Sequence, residues 1–91
     1  MTKLHWERGF RCHGYWLGDT MVGRVSIGPR GFWKPADGYS WDLMMPRYPK
    51  QEGTRPTLRE AKQQVERLVQ AAFDSGYDLA AELHKLLYTF R

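Results

Sequence analysis

Where this chain keeps its glycines and prolines decides most of what it can become. All five prolines and eight of the nine glycines precede residue 57, and only Gly76 follows. Proline lacks an amide donor and glycine loses the most freedom on ordering, so neither suits a helix interior. The first part is therefore restricted to short strands and turns, and helices are confined to the end. The reading is one domain over 1–91, with sheet over 1–45, a loop over 46–56 and helices over 57–91, a length that suits a single core. The fold class expected is α+β: an antiparallel meander of three to four strands, then two C-terminal helices packed on one face.

Successive strand side chains change faces, which assigns sides within the first part. In FRCHGYWL, Phe10, Cys12 and Trp16 point one way and Arg11, His13 and Tyr15 the other. Gly18–Asp19 is a tight-turn pair. The run MVGRVSI sets Met21, Val25 and Ile27 against Val22, Arg24 and Ser26, and GYSWDLM sets Tyr39, Trp41 and Leu43 against Ser40, Asp42 and Met44. Leu4 and Trp6 begin a short opening strand that breaks at Gly9. Phase with the aliphatic residues places Phe10, Trp16, Tyr39 and Trp41 in the core. It leaves Arg11, His13, Tyr15 and Arg24 on a wet face, as an antiparallel sheet covered on one side allows.

PRYPKQEGTRP, residues 46–56, holds three prolines and reads as a surface loop carrying Arg47, Tyr48, Lys50 and Arg55. Thr57-Leu58-Arg59-Glu60 is then a capping box, so a helix starts at Leu58. Leu58, Ala61, Val65, Leu68, Val69 and Ala72 form its apolar stripe, and Gly76 ends it. Asp78 caps a second helix from Leu79 toward Phe90, with Leu79, Leu83, Leu86, Leu87 and Phe90 as core candidates.

The formal charge of +4 is not spread evenly. Residues 1–50 hold eight basic and four acidic side chains, while residues 51–91 hold six of each. This favours an anionic partner for the first half, with a plain solubility charge as the alternative. Cys12 is the single cysteine, so no internal disulfide forms, and MTKLHWERGF lacks the pattern of a signal peptide. With no apolar run near the ~18 residues that span a bilayer, the expectation is a cytoplasmic protein without a membrane segment.

Enzyme motifs are missing: no Gly-x-Gly-x-x-Gly, no phosphate-binding loop, no His-Glu-x-x-His and no Gly-x-Ser-x-Gly. Cys12 and His13 are strand neighbours on opposite faces and do not form a nucleophile with its base. Neither they nor His5 and His84 have chelating spacing. Asp37, in a turn sequence, and Asp42, out of phase with the core, do not make an acid–base pair. The expectation is no catalysis, no metal and no cofactor.

A Trp- and Gly-rich meander, then GYSWDL, then a loop into TLREAK resembles small phage and prophage proteins built as a curved antiparallel sheet plus a C-terminal helix. The order of elements is also similar to integrase arm-binding and AP2-like modules, which dock a three-stranded sheet into the DNA major groove. The first resemblance implies an inhibitor of a host protein, of anti-CRISPR type, and the second a DNA partner; neither carries over a functional residue.

Two functions are expected from this. One is a nucleic-acid-binding module using the sheet face (Arg11, His13, Tyr15, Arg24) and its loops (Arg30, Lys34, Arg47, Tyr48, Lys50, Arg55), where cations neutralise phosphates and tyrosines stack. The other is a protein-binding or self-associating module, including a homodimer, using Leu17, Trp33 and Met44 together with Tyr48.

Overall fold

The computed structural model describes residues 3–27 and 38–89. Five strands, β1 (Leu4–Gly9), β2 (Cys12–Leu17), β3 (Thr20–Ile27), β4 (Tyr39–Leu43) and β5 (Glu52–Arg55), precede two helices, α1 (Leu58–Asp74) and α2 (Leu79–Thr89). The strands pair antiparallel in chain order, so each lies beside its sequence neighbours. The class is α+β, with five strands where three to four were expected.

The additional strand is β5, inside the segment read as a loop. Its prolines bracket the strand rather than interrupt it: Pro46 and Pro49 come before Glu52, and Pro56 follows Arg55. An edge strand needs partners on one side only, so four proline-free residues suffice. Gly53 lies against the Trp41 indole, where an added Cβ would stand 3.0 Å from Cζ2.

The sides of the sheet also differ from the expected ones. Phe10 is not a strand residue; with Arg11 it forms the two-residue turn between Gly9 and Cys12, and it is 86% exposed. The alternation of β2 holds, but the core takes its other face: Tyr15 is 9% exposed, while Trp16 faces away from α1 beside Gly14 and Met21. In β3 a bulge intervenes, because Tyr15 pairs with Gly23 and Trp16 with Met21, leaving Val22 between them. A bulge turns one residue across the pleat. Val22 therefore joins Val25 in the core, both with no exposed surface, and Met21 goes to the open side. In β4 Trp41 and Leu43 are buried and Tyr39 packs at the margin of the core, as expected.

Helix α1 lies over β3, β4 and β5. Its stripe of Ala61, Val65, Val69 and Ala72 is buried, and a Cβ on Gly23 would stand 2.5 Å from Val65 Cγ1. Thr57 caps the helix by accepting the Glu60 N–H at 3.1 Å, and its hydroxyl donates to the Glu60 carboxylate at 3.2 Å. At the other end the Gly76 N–H bonds the Phe73 carbonyl at 3.1 Å and the Tyr77 N–H the Ala72 carbonyl at 3.0 Å. This paired closure needs a left-handed residue, which Gly76 supplies at φ 104. Asp78 then caps α2 through the Ala81 N–H at 3.1 Å.

Of the two helices α1 supplies the cover of the sheet. Helix α2 joins the core through Leu79, which is buried, and Leu83, which is half-buried. Arg47 pairs with Glu82 at 3.2 Å, and the Tyr77 hydroxyl donates to the Pro46 carbonyl at 2.5 Å. The side chains proposed for the core at Leu87 and Phe90 lie outside the described residues.

The Gly23–Val65 contact gives a first prediction. Gly23→Ala should destabilise the protein by about 1–3 kcal/mol through overpacking, and Thr57→Ala by about 1 kcal/mol through loss of the cap. Urea denaturation checks both, and a Gly23→Ala variant as stable as the wild type would contradict the close packing.

Candidate functional site

The uncovered face of the sheet was the expected binding surface, and its charges are largely spent on one another. Arg24 and Asp42 are directly opposed on β3 and β4, and the guanidinium donates to both carboxylate oxygens at 3.2 Å. His5 meets Glu7 at 2.7 Å, and Lys50 approaches Glu52 at 3.9 Å. Ser26, Ser40 and Thr54 form a row of hydroxyls across three strands beside the Arg24–Asp42 pair. This face is polar and close to neutral, with Trp16 and Met21 as its apolar part.

Several of the proposed phosphate- and base-binding residues also have other duties. Tyr15 is in the core, stacked on Trp6 with ring centres 4.6 Å apart, and burial, then the charge of Glu66, raises its hydroxyl pKa. Tyr15 is therefore removed from the set of stacking residues, because the core claims the face of β2 that carries it. Tyr48 meets the Tyr77 ring edge-on at 5.2 Å. Arg47, left-handed at φ 54, is held by Glu82. Burial, then the Glu82 charge, pushes the Tyr77 hydroxyl up to about 12. Arg55 donates to Gln64 at 3.0 Å at the β5 edge. Arg30, Lys34 and Trp33 lie outside the described residues. Of the residues expected to meet a protein, Met44 is 41% exposed, and Leu17 is half-buried in a groove of about 630 Å³ that it shares with Leu4, Phe73, Tyr77 and Leu79.

Positive charge collects instead at one end of the molecule. The register aligns Gly9, Cys12, Ser26, Ser40 and Thr54 in one row, so the Phe10–Arg11 turn lies at the same end of the sheet as Arg55 and the start of α1. Arg8 and His13 are paired across β1 and β2 on the helix-covered side, near that turn. Above them Lys62 of α1 stands 5.1 Å from the Trp6 ring centre, and Arg59 is one turn earlier on the same side of the helix. Arg11 sits on the turn with its guanidinium 5.2 Å from the Phe10 ring centre.

None of Arg8, Arg11, Arg59 and Lys62 makes an ion pair among the described residues. The carboxylates closest to them by sequence and register are engaged elsewhere: Glu7 by His5, Glu60 by the Thr57 hydroxyl, and Glu66 by the Trp6 indole N–H at 2.7 Å. The first turn of α1 adds its own positive end. The His13 pKa is lowered, by burial first and then by the charges of Lys62 and Arg8.

Sequence reasoning found Arg11 and His13 of this cluster and missed Arg8, Phe10, Arg59 and Lys62. The signal was available in Arg8-Gly9-Phe10-Arg11, because a strand that breaks at Gly9 leaves Phe10 in a turn instead of in phase. Arg59 and Lys62 lie off the apolar stripe of α1, and only tertiary placement brings Lys62 to Trp6 of β1.

No family model, curated protein or solved structure matches the chain. Among the described residues no cluster of His, Cys, Asp and Glu is arranged to hold a metal, and no helix is long and apolar enough to cross a membrane.

The two strand histidines are predicted to titrate on opposite sides of the usual 6.5. His5 is raised by its hydrogen bond to Glu7 and, less, by the Lys3 carbonyl, whereas His13 is lowered. His5 thus adds stability below 6.5 that is lost as pH rises through its raised value. His13 does the reverse, resisting protonation, so it subtracts stability as pH falls from 6.5 through its lowered value. Histidine NMR titration checks this, and a His13 midpoint above that of His5 would refute the pairing of His5 with Glu7 together with the buried, basic surroundings of His13.

Proposed function

We propose that the protein is a non-enzymatic nucleic-acid-binding module that meets the phosphate backbone with the end of the sheet carrying Arg8, Arg11, Arg59 and Lys62. The observation that supports this most is their lack of any ion pair among the described residues, beside a nearly bare Phe10. Cations left unneutralised on one end are arranged to attract a polyanion, and bound counterions leave when phosphates replace them. His13 lies within the same field and gains a proton more readily once phosphate neutralises its neighbours. Arg24, expected to bind phosphate from the open face, is paired with Asp42 and is not part of this proposed surface.

Four phosphate contacts give a log–log salt slope of about −3, or roughly 60-fold weaker binding on going from 50 to 200 mM salt. In fluorescence anisotropy with labelled DNA and RNA at the lower salt, Arg11→Glu combined with Arg59→Glu should weaken binding at least about tenfold. Lys50→Glu, on the open face, should change it less than about twofold. Circular dichroism confirms that each variant folds. A double variant that binds like the wild type overturns the reading.

A further inference from the structure

We infer that the nucleic acid offers an unpaired base, and that Phe10 is the platform on which it stacks, an inference that rests on the proposed nucleic-acid reading. Phe10 and Met44 are the exposed large hydrophobic residues among those described, and Phe10 is the barer of the two at 86%. Nothing in the turn explains its presence. Two-residue hairpin turns favour Gly, Asn and Asp; this one holds Phe10 and a left-handed Arg11 at φ 58, a conformation in which arginine is uncommon. A position that breaks the local turn preference and gains no burial in return is where a binding residue is expected.

The chemistry around the ring selects the ligand. A phenyl ring offers a flat π face and no hydrogen bond, so it recognises another flat face regardless of base identity. Inside a duplex each base already has a stacking neighbour on both sides, whereas a single strand can turn a base outward. Arg11, 5.2 Å from the ring centre, adds a cation–π contact and leaves room for a base against the rest of the exposed ring. Arg8 on the strand before the turn, with Lys62 and Arg59 on α1, flanks that position with charges for the phosphates on either side of the stacked base. The partner is thus a single strand, or the loop or end of a folded one.

The test measures the affinity of full-length protein at about 50 mM salt for a labelled single-stranded oligonucleotide and for a duplex of the same length, in wild type, Phe10→Ala and Phe10→Trp. Phe10→Ala should weaken single-strand binding at least about tenfold and duplex binding less than twofold, with Phe10→Trp retaining wild-type affinity. Truncating a residue this exposed leaves the core intact, which circular dichroism verifies. Unchanged single-strand binding in Phe10→Ala, or equal losses on both ligands, overturns the stacking inference and leaves phosphate binding standing. Wild-type protein that binds neither ligand overturns both.

Discussion

Val65 sits directly over the backbone of Gly23, and the rest of the fold is arranged around that approach. A methyl on Gly23 would lie 2.5 Å from Val65 Cγ1, so α1 can come this near only because the central strand offers no side chain there. Val65 and Val69 from the helix and Val22 and Val25 from the sheet are all fully buried, each contributing about 1.5–3 kcal/mol by leaving water. The bulge at Val22 belongs to the same arrangement, since it adds a second apolar side chain beside the glycine that carries none. Trp41 over Gly53 repeats the pattern nearer the β5 edge. A small residue on one strand admits a large group from elsewhere, and close packing follows.

One covering helix leaves an uncovered face, and such a face must either bind something or be content in water. Arg24 against Asp42, a row of hydroxyls, and the His5–Glu7 and Lys50–Glu52 pairs make it content in water. Exposed pairs of this kind contribute little to stability, about 0–1 kcal/mol, but they cancel the local field. At the Phe10 end Arg8, Arg11, Arg59 and Lys62 make no ion pair among the described residues, while Glu60 and Glu66, bonded to the neutral Thr57 hydroxyl and Trp6 indole, keep their charge nearby. The distinction between the two surfaces lies in pairing, not in the number of basic residues.

Pairing across strands is also what the sequence hides. The C-terminal part was legible because its signals are local: Thr57 with Glu60, the apolar stripe from Leu58 to Ala72, Gly76 and Asp78 all act within a few residues, and the structure uses each of them. Gly18–Asp19 was legible for the same reason, and Trp41 because β4 is short and regular. Phe10 was misplaced because period two carries no marker of where a strand stops, so one turn residue counted in phase selected the wrong face of β2 for the core. Val22 was misplaced because a bulge has no fixed sequence signature. β5 went unseen because Glu-Gly-Thr-Arg has no alternation of its own; its partner, β4, provides the template.

The location of the basic cluster follows from the topology as much as from composition. In a meander of sequential neighbours every second turn falls at the same end, so the β1–β2 turn shares its end of the sheet with the entry to α1. The helix runs back over β3, β4 and β5 from that entry, Lys62 reaches across to Trp6 of β1, and the positive end of the helix lies at the same end of the sheet. Within the strands a cross-strand neighbour can pair with a charge, as Asp42 does for Arg24, whereas Arg8 near the end of β1 faces His13 and makes no ion pair among the described residues. A turn has no such neighbour. Arg11 on its turn, beside the exposed Phe10 ring, and Arg59 in the first turn of α1 occupy positions with no cross-strand neighbour opposite them.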